Sequence, residues 1–228
     1  MIIIDYFGFS GSGKSFSAKE ISKLNLKIDF QFLLINKYAN FKRLFYKIYF
    51  ISFVKISELK KVLDLHKCFT FEKKIIKFKN LISFLYLIGF IKYKSKVSKI
   101  IIIDHGLMQC LLSCFLFSKN KNYNYDIILK KFNIIFNFLN KHYNFYTLIL
   151  MEHNWDLISK RLRKRDGNKF KYLMNKSNIQ LYENALANCN FIYKNLTNDN
   201  FKLFLHQSFK NDNYIELKIL LQKYEKKS

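Results

Sequence analysis

The chain opens with MIIIDY, an apolar run broken only by Asp5, and a glycine-rich segment follows at once. A short apolar run ended by glycine reads as a strand buried on both faces of a parallel sheet. Residues 14–24 then predict a helix. Over residues 26–32, Leu26, Ile28, Phe30 and Phe32 alternate with Lys27, Asp29 and Gln31, the period-two pattern of a half-exposed strand. Four successive isoleucines from position 100 predict a second buried strand, because β-branched side chains suit a doubly covered sheet. Residues 145–151 predict a third such strand, and 201–209 a last one. Helices are predicted over 106–117, 126–142, 154–165 with Asn154 as its cap, 178–196 and 214–225. The long, lysine-rich apolar stretch of residues 36–97 reads as several helices, with Ser57 capping one before Glu58 and Leu59.

Strands alternating with helices indicate an α/β chain whose parallel sheet is covered on both faces. No repeat, Pro-rich linker or composition break divides the 228 residues, so the expectation is one domain with helical elaborations. No apolar run is long enough to span a bilayer.

The composition is skewed: there are no prolines, 6 glycines and only four arginines, while lysine, asparagine, isoleucine and the aromatics abound. Residues with A/T-rich codons are the enriched ones. The net charge of +24 is spread along nearly the whole chain, with no basic tail or basic-region helix. Solvated lysine faces account for that pattern better than a nucleic-acid surface does, although nucleic acid stays open as a partner. Four cysteines without zinc-knuckle spacing read as buried thiols in a reducing, cytoplasmic setting.

Scarcity makes the surviving glycines and arginines informative. Gly8, Gly11 and Gly13 lie in one segment, Gly8-Phe9-Ser10-Gly11-Ser12-Gly13-Lys14-Ser15, which fits G-x-x-x-x-G-K-[ST] at every fixed position. Each residue type has a chemical reason. Glycines let the backbone turn its N–H groups inward as an anion nest, and the following helix adds its positive end. Lys14 reaches the terminal phosphates, and the Ser15 hydroxyl suits Mg²⁺. A preceding apolar strand and a following helix are the context this motif requires, so Gly8, Gly11, Ser12, Gly13, Lys14 and Ser15 form a nucleotide-binding set for ATP or GTP.

Asp104 closes the isoleucine strand. Ligands of open α/β sheets bind beyond the carboxyl ends of strands, which places Asp104 near the loop as metal holder or orienter of an acceptor hydroxyl. His105 is a second polar candidate there. Arg161, Arg163 and Arg165, three of the four arginines, fall within five residues near the end of a predicted helix. Arg161 and Arg165 share a face and are candidates for stabilising phosphoryl charge from a lid over residues 161–175.

Together these pieces resemble the nucleoside-monophosphate-kinase group of P-loop kinases, and within it the thymidylate-kinase-like branch. The resemblance rests on the loop, on Asp104-His105-Gly106 with Gln109 after it, and on Glu152-His153-Asn154-Trp155-Asp156 followed by Lys160-Arg161-Leu162-Arg163-Lys164-Arg165. It implies a three-layer αβα fold with about five parallel strands in the order 2-3-1-4-5. It also implies ATP as donor with Mg²⁺, Lys14 on the phosphates, and Arg161 and Arg165 as lid residues; with the residue reading, Lys14, Asp104, Arg161 and Arg165 are the catalytic candidates and Ser15 and Asp104 the metal ones. The loop is also similar to those of small-metabolite and sugar kinases, so the acceptor stays open, as does a homodimer.

Two functions of different class follow. A phosphotransferase requires a polar concavity beside Asp104 for a small acceptor. A nucleotide-dependent switch requires no such concavity, but an apolar surface on the helices of 36–97, for which Phe41, Leu44, Phe45, Tyr49 and Phe50 are candidates.

Overall fold

A computed structural model describes residues 2–22, 28–30, 40–98, 100–139, 145–151, 155–166, 175–196 and 201–206. Side chains are described for residues 2–18, 45–98, 100–139, 155–164 and 175–196. The elements are β1 (Ile2–Phe7), α1 (Lys14–Ser22), β2 (Ile28–Phe30), α2 (Asn40–Ile51), α3 (Ile56–His66), α4 (Lys74–Lys94), β3 (Ile100–Ile103), α5 (Leu107–Leu116), α6 (Tyr125–Leu139), β4 (Phe145–Met151), α7 (Trp155–Asp166), α8 (Lys176–Lys194) and β5 (Phe201–His206).

The five strands form one parallel sheet in the order β2-β3-β1-β4-β5. This is the order expected from the sequence resemblance. Every residue of β1 and β3 is buried, including Asp5, the one charge in either strand. After β1 the chain turns toward β3 and β2, whereas after β3 it crosses over to β4. The carboxyl ends of β1 and β3 therefore flank the topological switch point, where a crevice opens in a doubly wound sheet. Asp5 is in register with Ile103, so the loop after Phe7 and the residue after Ile103 emerge side by side.

Residues 40–51, 56–66 and 74–94 are helical, as expected, and Phe50 of the first packs edge-on against Tyr86 and Phe90 of the last. Gly89 in the middle of α4 is unfavourable for a helix by about 1 kcal/mol relative to alanine. Its role is closeness: a Cβ at that position would collide with the Phe50 carbonyl of α2. Helix α3 departs from the sequence expectation, because Lys55 rather than Ser57 is its N-cap. Glu58 accepts a hydrogen bond from the Lys55 backbone N–H at 2.9 Å, so the acidic residue satisfies the first turn. Glu58 is buried and also pairs with Lys92 of α4 at 2.9 Å, joining the two helices. Phe50 is likewise buried and contributes to the core, not to a surface patch. The other expected elements lie within about three residues of those observed. The expected cap Asn154 and the helix over 214–225 lie outside the described residues. Among the described residues, no helix is long and apolar enough to cross a membrane.

Candidate functional site

Gly8, Gly11 and Gly13 have φ values of 140°, 88° and 103°, a backbone region that side chains disfavour. At Gly11 space is the second constraint. A Cβ there would stand 3.1 Å from Cγ of Leu162, a buried residue of α7 that packs directly on the loop. The loop turns back on itself through Ser12 N–H to the Phe9 carbonyl at 3.2 Å, then runs into α1.

Lys14 is buried and donates to the carbonyls of Gly8 and Phe9 at 2.9 and 2.8 Å. Its ammonium thus lies over the loop it would share with phosphates. The Ser15 hydroxyl donates to Asp104 Oδ2 at 2.7 Å, across 89 residues of sequence. The other Asp104 oxygen, Oδ1, is buried and has no hydrogen-bond partner among the described residues, and the same holds for the Ser12 hydroxyl. A buried carboxylate oxygen left over beside a serine hydroxyl is what a Mg²⁺ ion with retained waters would use, so the donor set fits the metal. Among the described residues there is no cluster of three or more His, Cys, Asp or Glu, so such an ion would also need phosphate oxygens.

Arg161 on α7 donates from one guanidinium nitrogen to the carbonyls of Gly11 and Ser12 at 3.2 and 3.3 Å. It leans on the loop. Arg163 is exposed. The side chain of Arg165 lies outside the described residues, as do residues 167–174 of the expected lid and residues 152–154 of the acidic stretch.

His105 stands 3.8 Å from Asp104 Oδ2 and is about two-thirds exposed, at 65%. It lines two cavities. One, of about 240 Å³, lies over the loop and is bounded by Ser10, Gly13, Lys14, Ser15 and Arg161. The other, of about 500 Å³, runs between α4 and α5 and is bounded by Tyr86, Leu87, Phe117, Gln109 and Asn80, with Lys47 and Lys79 contributing charge. The second reaches His105, the neighbour of Asp104, and its lining is mostly apolar.

Three residues at the site carried no signal for their role. Gln109 accepts from the Gly8 N–H at 3.1 Å, where the sequence suggested only the tail of an acidic motif. Tyr182 of α8 donates to the Gly8 carbonyl at 2.6 Å. Phe9 is held edge-on between Trp155 and Tyr182, with ring centroids 4.7 and 4.4 Å away. Partners this remote in sequence have no local pattern. Asp5, by contrast, was visible as the one charge in a strand expected to be buried.

No family model matches the chain. No curated protein matches it. Solved structures of deoxyadenosine kinase from M. mycoides are similar to it. The one with the products dCMP and a flexible dCDP bound is 18% identical, covers 99% of this chain and 100% of its own, and has a TM-score of 0.43. The one with bound dATP is 18% identical over 98% and 99% of the two chains, at 0.49. The one with bound dCTP is 19% identical over the same shares, at 0.43. A likeness this loose carries nothing about activity.

Proposed function

We propose that the chain binds Mg·ATP in the loop of residues 8–15 and transfers the γ-phosphoryl group to a small acceptor in the cavity between α4 and α5. The observation that carries this reading is the meeting of the two cavities at His105, one residue from Asp104. A donor phosphate over the loop and an acceptor in the second cavity would face each other there. An acceptor oxygen would attack the γ-phosphorus in line, and the bond to the β–γ bridging oxygen would break, leaving ADP.

The residues divide the work. Backbone N–H groups of the loop bind phosphate, and Lys14 leaves the Gly8 and Phe9 carbonyls to balance the terminal charge. Ser15 and Asp104 would hold Mg²⁺, which supplies charge neutralisation at the β- and γ-oxygens. The free oxygen of Asp104 can instead take the acceptor proton. Arg161, already on the loop, is placed to meet equatorial phosphoryl oxygens, and Arg165 is proposed to share that role.

The cavity also bears on the acceptor. Phe117 and Ile76 offer apolar faces, and Gln109, Ser83 and the two lysines offer polar and cationic groups. A flat base with a polar or anionic substituent fits that lining better than a free sugar, so a nucleoside or nucleotide is the favoured class. The switch reading predicts an apolar surface on residues 36–97, where Phe45 and Tyr49 are exposed, but no cavity beside Asp104; the cavity of about 500 Å³ at His105 favours transfer.

Thermal unfolding with and without Mg·ADP, across nucleosides, nucleoside monophosphates and sugars, tests the assignment. A ligand that raises the transition temperature in wild type but not in Phe117→Ala supports it. Binding that survives Phe117→Ala, or no response to any class, removes the cavity as the acceptor site.

A further inference from the structure

Both backbone polar groups of Gly8, the first residue of the loop, are held by side chains from two different helices. Its N–H donates to Gln109 Oε1 of α5 at 3.1 Å, and its carbonyl accepts from the Tyr182 hydroxyl of α8 at 2.6 Å. The backbone of Gly8 is thus tied to α5 through its N–H and to α8 through its carbonyl. Tyr182 is buried, and burial pushes its phenol well above the ordinary tyrosine range, with Gln109 opposing, so it stays a neutral donor.

The Gly8 carbonyl is shared, because Lys14 also donates to it. When Lys14 departs for a phosphate, the carbonyl loses one of its two donors and Tyr182 keeps the other. We propose that Tyr182 and Gln109 are positioning residues that hold the Gly8 peptide in its phosphate-receiving orientation, so that Lys14 can move to the nucleotide without the loop relaxing. Tyr182 lines neither cavity; Gln109 also lines the one between α4 and α5, so the probes chosen below carry no acceptor. The edge-on contact of Phe9 with Tyr182 fixes the ring, so Tyr182→Phe removes the hydroxyl and little else.

This inference rests on the reading of the loop as an ATP site, and the experiment separates the two. Dissociation constants for Mg·AMP-PNP and for inorganic tripolyphosphate are measured by calorimetry for wild type, Tyr182→Phe, Gln109→Met and Lys14→Ala, well below each unfolding temperature. Under those conditions a mere loss of stability leaves affinity unchanged. The expected result is weakening of about five- to tenfold for both probes in Tyr182→Phe and Gln109→Met, the effect of one lost hydrogen bond. Affinities within twofold of wild type in a folded Tyr182→Phe or, should that variant not fold, in Gln109→Met would overturn the positioning role alone. No binding by wild type, or binding unaffected by Lys14→Ala, would overturn the ATP site and this inference with it.

Discussion

The carboxylate of Asp5 occupies the space that a side chain at position 106 would need. A Cβ on Gly106 would collide with all three terminal atoms of Asp5, and Asp5 Oδ2 accepts from the Met108 N–H at 3.4 Å. Gly106 is the N-cap of α5 and has no side chain to cap it. A carboxylate reaching over from β1 takes that place at the positive end of the helix. The glycine after Asp104-His105 is therefore a packing requirement that sets where α5 and Gln109 sit.

The relation makes a stability prediction. Gly106→Ala should destabilise the fold by about 1–3 kcal/mol through overpacking. Asp5→Ala should also destabilise alone, yet the double variant should lose less than the sum, because the collision is gone. Urea unfolding of the four proteins gives the coupling, and strict additivity would contradict the contact.

Ser15→Ala and Asp104→Asn remove the two groups that meet at 2.7 Å. Each should raise the Mg²⁺ concentration needed for half-maximal transfer, and Asp104→Asn should lower kcat by about a hundredfold or more. Titrating Mg²⁺ at saturating ATP checks this. A normal metal dependence in both variants would remove them as metal holders.

Arg161→Ala should reduce kcat by about a hundredfold, roughly the loss on removing one group that stabilises developing charge. Arg161→Lys should not restore it, since an ammonium lacks the planar fork. Steady-state transfer rates on folded variants decide this, and full recovery by lysine would show that charge alone suffices.

His66 gives the pH dependence. Its ring nitrogens lie 2.9 Å from the Val62 carbonyl and 2.7 Å from Asn80 Oδ1 in the interior. Burial pulls its pKa below the ordinary imidazole value; the Val62 and Asn80 contacts oppose this, and Lys77 adds to it. Above about pH 6.5 the ring is neutral in both folded and unfolded chains, and its contribution is complete. As pH falls below that value the unfolded chain binds a proton that the folded chain resists, so stability declines until the depressed pKa is passed. Urea midpoints should be lower at pH 5.5 than at 7.5, and His66→Gln should flatten the dependence.

Much of this was legible beforehand, for identifiable reasons. The strands at 2–7 and 100–103 declared themselves because burial on both faces leaves near-continuous apolar runs, with Asp5 the one exception. The loop did so because only glycine, lysine and a hydroxyl meet its geometry, and Asp104 because the strand end fixes its place. The cap of α3 was misread because Ser57 has the right side chain for a cap, while the satisfying group comes from Glu58. The cavity, the seat of Arg161 on Gly11 and Ser12, and the hold of Tyr182 on Gly8 depend on how helices pack, and no short stretch of sequence encodes that.

The most direct test of the central claim is transfer of labelled γ-phosphate from Mg·ATP to nucleosides, nucleoside monophosphates and sugars, with Lys14→Ala beside wild type. Label passing to one acceptor class, and lost with Lys14→Ala, is the predicted result. Tight, Lys14-dependent ATP binding with no transfer to any acceptor would contradict the phosphotransferase and leave a nucleotide-binding switch.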